Sequence, residues 1–223
     1  MAVVEAYAEL ARRVLAGPAR LGRTRLVAVD GPSGAGKSRF AARLADALAA
    51  PLGGRPPVVH TDDLLDGWDD QFTFWARLEE KVLEPLRHGR PAEYQRYLWH
   101  RRAFGGEPHV VAPAEVVLLE GVSSARRVIR PELSLAVFVC APPDLRLARA
   151  LARDGGHEVA FRAYLERWRL AENRHFAEDD TAAHAGLLVD GAAELDDGYE
   201  RIWRRPPDEA TISCLGSGNG DGS

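Results

Sequence analysis

RTRLVAVD-GPSGAGKS-RFAARLADALAA, residues 23–50, holds in succession a short β-rich run, a glycine-rich turn and an alanine- and leucine-rich stretch that Pro51 stops. The turn Gly31-Pro-Ser-Gly-Ala-Gly36-Lys37-Ser38 satisfies G-x-x-x-x-G-K-[ST], and the flanking strand and helix are the context that motif needs. Glycines let backbone N–H groups turn inward around a phosphate, and the helix N-terminus adds its positive end. Lysine at 37 then reaches the β- and γ-phosphates, and the Ser38 hydroxyl takes a Mg²⁺ site. The expected ATP contacts are therefore Gly31, Ser33, Gly34, Ala35, Gly36, Lys37 and Ser38, with Arg39 opening the helix. Only two residues of the chain are lysines, and one of them stands in this motif.

Further apolar runs follow at 57–60 (PVVH), 115–121 (EVVLLEG), 133–140 (LSLAVFVC) and 186–190 (GLLVD), each bounded by Pro, Gly or charge. Near-continuous apolar strands of this kind suit a parallel sheet covered on both faces. Helical stretches over roughly 72–88, 143–153 and 158–177 separate most of them, and residues 2–16 read as an amphipathic helix on Val3, Tyr7, Leu10 and Val14. Alternating β and α elements predict a doubly wound α/β fold with ligands at the carboxyl ends of the strands. With 223 residues and no internal repeat, one domain over 1–205 is expected, followed by a Gly/Ser-rich tail over 206–223.

Composition narrows the function. A net charge of −4 gives no basic footprint for nucleic acid, and no apolar run has the length of a membrane span. A small-molecule partner is favoured. The N-terminus carries Glu5 and Glu9 among its apolar residues, unlike a signal peptide. Cys140 and Cys214 stand far apart, forming neither a disulfide framework nor a CxxC pair. Both features suit the cytoplasm.

Two further segments bring carboxylates to strand ends. His60-Thr61-Asp62-Asp63-Leu64-Leu65 follows the second run, and Leu119-Glu120-Gly121-Val122 follows the third. One can remove a proton from a substrate hydroxyl, and the other can hold Mg²⁺ directly or through water. No NKxD-like guanine signature is present. Arg146, Arg149 and Arg153 fall at i, i+3 and i+7 on one helical face, and cations over a γ-phosphate are what phosphoryl transfer requires. The alternative for that stripe is a solvated helix face. Tyr94, Tyr97, Trp99, His100 and Arg101, with Trp68, mix rings and cations as an acceptor pocket would, although such rings also serve as core.

In their order and spacing these motifs resemble the uridine kinase family and its relatives, the nicotinamide riboside kinases and phosphoribulokinases, over roughly residues 24–190. GPSGAGKS is similar to the family's phosphate loop, and HTDDLL to the segment whose catalytic aspartate maps onto Asp62. VVAPAEVVLLEGV is similar to the stretch leading into its LEG motif, with Glu120 at the acidic position. DLRLARALARD, 144–154, resembles the arginine-rich start of a lid over about 144–160, and QRYLW, 95–99, a segment with paired aromatics that helps hold a nucleoside. The resemblance implies a five-stranded parallel sheet of order 2-3-1-4-5 with helices on both faces. It also implies ATP and Mg²⁺ as cofactors, the metal at Ser38, Glu120 and Asp62, and the γ-phosphoryl group passing to a hydroxyl of a nucleoside-like molecule. Asp63 joins the acceptor side. Leu64, Leu65 and Leu98 depart from the family's pattern around that pocket, so a sugar, vitamin or antibiotic hydroxyl stays open as acceptor. An ATP-binding regulatory protein with slow hydrolysis is the alternative of a different class.

Overall fold

The structure, a computed structural model, describes residues 3–154, 159–193 and 195–202. The run at 25–30 forms β2 (Arg25–Asp30), buried from Leu26 onward, so it can only lie inside a sheet. Beside it lie β6 (Val116–Glu120), also buried throughout, and β7 (Leu133–Cys140). The row is extended by β3 (Val58–His60) and β8 (Leu187–Asp190), all five pairing in parallel. Two antiparallel strands continue it, β9 (Gly198–Arg201) and β1 (Val3–Ala6). The order across the sheet is β1-β9-β8-β7-β2-β6-β3, seven strands where five were expected.

Side chains alternate across a strand, and here the alternation divides the core in two. Val27 and Val29 join Val116, Leu118, Val137 and Val139 on one face. That face is covered by α1 (Tyr7–Ala16), through Leu10 and Val14, and α2 (Lys37–Leu52), through Phe40, Leu44 and Leu48. Leu26 and Ala28 join Val117 and Leu119 on the other. There they meet the helical rod of α3 (Trp75–Leu78), a π turn over Glu79–Leu83 and α4 (Glu84–Arg87). A third cluster seats Phe176 against Phe138, ring centroids 5.1 Å apart. Phe176 lies on α6 (Val159–Asp179), which follows α5 (Pro143–Asp154) and precedes α7 (Thr181–His184).

Two expectations are corrected. Residues 2–16 do not form one helix: Val3–Ala6 pair with Arg201–Gly198, because β9 has an open edge that a helical start would leave unmet. QRYLW falls at a separate antiparallel hairpin, β4 (Ala92–Leu98) with β5 (Ala103–Val111). Cys140 is disulfide-bonded rather than an isolated thiol. Cys214, the expected tail over 206–223 and residues 155–158 of the expected lid lie outside the described residues. Among the described residues no helix is long and apolar enough to cross a membrane.

Candidate active site

The phosphate loop leaves β2 through Asp30, whose side chain is fully buried. Its Oδ1 accepts the N–H groups of Gly31 (2.7 Å) and Ser123 (2.8 Å), and its Oδ2 that of Ala125 (2.8 Å). One carboxylate therefore ties the loop's first residue to the turn after β6. Burial pushes Asp30 up to about 6, against the three N–H donors and the charge of Lys37. The loop then packs too closely for side chains at two points. A Cβ on Gly31 (φ 138°) would sit 2.0 Å from Val139 O, and one on Gly34 (φ 76°) 2.5 Å from Arg146 O. Only glycine accepts both the conformation and the approach.

Lys37 opens α2 and is 8% exposed, its Nζ donating to Pro32 O at 3.1 Å. Next to it, the Ser38 hydroxyl donates to Glu120 Oε1 at 3.1 Å. Glu120 ends β6 opposite His60 at the end of β3, and His60 Nδ1 lies 2.6 Å from Glu120 Oε2. Burial alone would raise the Glu120 carboxyl, but the hydrogen bond to His60, with Lys37 and Ser38, holds it below the usual range. The same contact raises His60.

Asp62 lies in the 3₁₀ turn Thr61–Leu64 that follows β3 directly. Gly121, which follows Glu120, is in contact with Thr61, so the adjacent strand ends bring Asp62 and Glu120 to one place. Asp62 is exposed where it lines the cavity. Desolvation beside the neighbouring groups, then the Glu120 charge, pushes its pKa above the ordinary value, against Lys37, Arg153 and His60. Among the described residues no group of three His, Cys, Asp or Glu stands ready for a metal. Ser38, Glu120 and Asp62 instead offer one hydroxyl and two carboxylates, the hard oxygen donors that suit Mg²⁺ when it keeps water and phosphate in its shell.

These groups share a cavity of about 590 Å³. Its polar end is Ser33, Gly34, Gly36, Lys37, Ser38 and Arg39 with Asp62, Glu120, Arg149 and Arg153. Its apolar lining is Leu65, Trp68, Trp99, Val122, Leu165 and Trp168. Trp68, 39% exposed, meets Trp99 at 4.6 Å, Tyr164 at 5.0 Å and Trp168 at 5.5 Å between ring centroids. A smaller cavity of about 250 Å³ adjoins the polar end, sharing Gly36, Arg39 and Arg149 and running on to Tyr7, Gly191 and Tyr199.

The expected site residues therefore divide. Ser33, Gly34, Gly36, Lys37, Ser38, Arg39, Asp62, Glu120, Trp68, Trp99, Arg149 and Arg153 come together. Gly31 and Ala35 do not line the cavity: Gly31 packs against Val139, and Ala35 is fully buried, its N–H bonded to Pro32 O at 3.1 Å. Arg149 Nη1 donates to Gly191 O (2.9 Å) and Gly34 O (3.3 Å), joining α5 to the loop. Arg146 is 3% exposed and is not part of the wall; its backbone packs against Gly34. Tyr97 is buried behind Trp99, 5.0 Å between centroids, and Asp63 pairs with Arg96 at 3.3 Å. Tyr94 lines a different cavity, beside Leu64 and Arg77. His100 and Arg101 are exposed in the hairpin turn, away from the cavity, because the strands of β4 and β5 carry that turn outward past Trp99.

Contributors that the sequence did not single out include Asp30, Val122, Leu165, Trp168 and Glu172. Glu172 is 1% exposed on α6, and its Oε1 accepts the Ser33 N–H (3.0 Å), the Ser33 hydroxyl and the Trp168 indole N–H (2.8 Å). Burial raises its carboxyl. A tryptophan and a glutamate one turn apart were the available signal, but nothing in the sequence says what they face.

Comparison with known proteins bears on the family and the fold. The Phosphoribulokinase / Uridine kinase family model matches residues 68–159, from Trp68 through the hairpin, β6 and β7 to the start of α6. No curated protein matches the sequence significantly. Among solved structures, a possible uridine kinase from Bacillus stearothermophilus superposes with a TM-score of 0.57 at 16% identity, over 82% of this chain and 96% of that one. A candidate fructose transport system kinase from Silicibacter sp. TM1040 gives 0.53 at 22% identity, over 81% and 95%. At these identities the likeness concerns the fold. The match over residues 68–159 includes LEG and QRYLW but neither GPSGAGKS nor HTDDLL, and over that stretch the chain is similar to the phosphoribulokinase and uridine kinase family.

Proposed function

We propose that this protein is an ATP-dependent kinase that transfers the γ-phosphoryl group of ATP to a hydroxyl of a ring-bearing, nucleoside-like small molecule. One observation supports the reading: Asp62 lines the same cavity as the phosphate loop and the rings of Trp68, Trp99 and Trp168. A protein that only binds or slowly hydrolyses ATP has no need of such rings.

In this reading the loop amides and Lys37 hold the phosphates, and the smaller cavity past Arg39 takes the nucleoside end of ATP. Ser38, Glu120 and Asp62 would hold Mg²⁺, which would neutralise phosphate charge when bound. The acceptor lies against Trp68 and Trp99, with its hydroxyl toward Asp62. Asp62 takes the hydroxyl proton, the acceptor oxygen bonds to the γ-phosphorus, and the bond to the β-γ bridging oxygen breaks to leave ADP. Asp62 lines the same cavity as the phosphate loop, where a carboxylate can take that proton. Arg153 and Arg149, at the polar end of the cavity, stabilise charge on the transferring group.

A panel of nucleosides, sugars, vitamins and antibiotics scored by acceptor-dependent ADP release tests the proposal. Turnover of a ring-bearing alcohol that disappears in Asp62→Asn is the expected result. ADP release at one slow rate with every compound, unchanged in Asp62→Asn, would overturn it in favour of an ATP-binding regulator.

A further inference from the structure

A polar contact that the catalytic reading does not use joins Ser33 and Trp168, which line the cavity, to Glu172, which does not. Trp168 and Glu172 stand one turn apart on α6 and so share a helix face. Glu172 Oε1 gathers three donors, the Ser33 N–H, the Ser33 hydroxyl and the Trp168 indole N–H, while the indole nitrogen also lies 3.1 Å from Ser33 Oγ. Ser33 belongs to the polar end of the cavity and Trp168 to its aromatic wall. Glu172 touches both without facing either ligand.

A buried carboxylate is costly unless hydrogen-bonded, and charge-assisted hydrogen bonds are the strong ones. This contact therefore constrains both partners. The Ser33 N–H is held toward α6, which determines how the following residues, Gly34 to Ser38, present their own amides to a phosphate. The indole of Trp168 is held in the orientation that sets it perpendicular to Trp68.

We infer that Glu172 is a positioning residue that braces the phosphate loop from outside and joins it to the acceptor wall through Trp168. The inference rests on the reading of the loop as the ATP site. It assigns Glu172 no contact with substrate. Its consequence is that nucleotide affinity depends on a helix that contributes no loop residue.

The test is the dissociation constant of ATP·Mg²⁺ for the full chain by calorimetry, without any acceptor, alongside the melting temperature of each nucleotide-free variant. Glu172→Ala should weaken ATP by about tenfold, the scale of one charge-assisted hydrogen bond. Glu172→Gln keeps an acceptor oxygen and should stay within about threefold of wild type. Trp168→Phe keeps a ring, loses the indole N–H, and should fall between the two; if Glu172→Ala does not fold, this variant decides. A lowered melting temperature with unchanged ATP affinity in Glu172→Ala and Trp168→Phe would reduce Glu172 to a core residue and overturn the inference. Lys37→Ala separates the two claims: if it binds ATP as wild type does, the loop assignment fails, whatever Glu172 does.

Discussion

Replacing Asp30 by asparagine tests the junction between β2 and the phosphate loop, and the effect can be worked through. The change removes the charge and turns one oxygen into an NH₂ group, which faces one of the backbone N–H donors now bound: Gly31 and Ser123 on Oδ1, or Ala125 on Oδ2. An unmet buried donor costs about 1–3 kcal/mol. Against this, the folded carboxyl sits at about 6 rather than the ordinary 3.8, so the ionised form carries a penalty of about 3 kcal/mol that asparagine does not. The two nearly cancel at pH 7.5, where Asp30→Asn should lie within about 1 kcal/mol of wild type. A raised acid contributes stability that is fully present below about pH 4 and is lost as pH rises through about 6. At pH 5 wild type therefore recovers about 1 kcal/mol that the variant cannot, and its stability relative to the variant rises by that amount. Asp30→Ala leaves two further donors unmet and should fall about 2–4 kcal/mol below Asp30→Asn at either pH. Urea unfolding of the three proteins at pH 5 and 7.5 measures all of this, since contributions from other titrating groups cancel in the differences. A wild-type stability relative to Asp30→Asn that stays constant or falls toward pH 5 would show that burial does not dominate at Asp30, and an asparagine as damaging as alanine would refute the argument outright.

Other outcomes follow from the site. ATP·Mg²⁺ should raise the melting temperature of wild type by mass action, and Lys37→Ala should abolish most of that shift, read by scanning fluorimetry. Asp62→Asn should lower kcat by roughly 10²-fold while leaving ATP affinity nearly intact; equal loss of both would make Asp62 chiefly a metal-site residue. Arg153→Ala should lower kcat by at least about tenfold with a smaller change in ATP affinity, whereas Arg146→Ala, buried against the loop, should register mainly as lost thermal stability.

The sequence by itself determined the parts whose physics is local. GPSGAGKS declares a phosphate cradle because glycine, lysine and serine at that spacing have few other uses between a strand and a helix. Runs such as VVLLE and LSLAVFVC declare buried parallel strands because they leave no face for water. Asp62 and Glu120 were legible for the same reason, since each stands where such a strand ends.

Only the tertiary structure decided what depends on residues far apart in the chain. The edge strand Val3–Ala6 exists because Gly198–Arg201 stands next to it, and no local pattern encodes a partner nearly two hundred positions away. The hairpin decided which rings matter: it turns Trp99 into the cavity, keeps Tyr97 beneath it and carries His100 and Arg101 outward, although all four are near neighbours in sequence. The spacing of Arg146, Arg149 and Arg153 gives a helix face but not what that face meets, and packing put the first against the loop and the others at the cavity. Glu172 is the clearest case. Its hydrogen bonds reach Ser33 across 139 positions, and a glutamate on a polar helix carries no sign of burial until the helix docks.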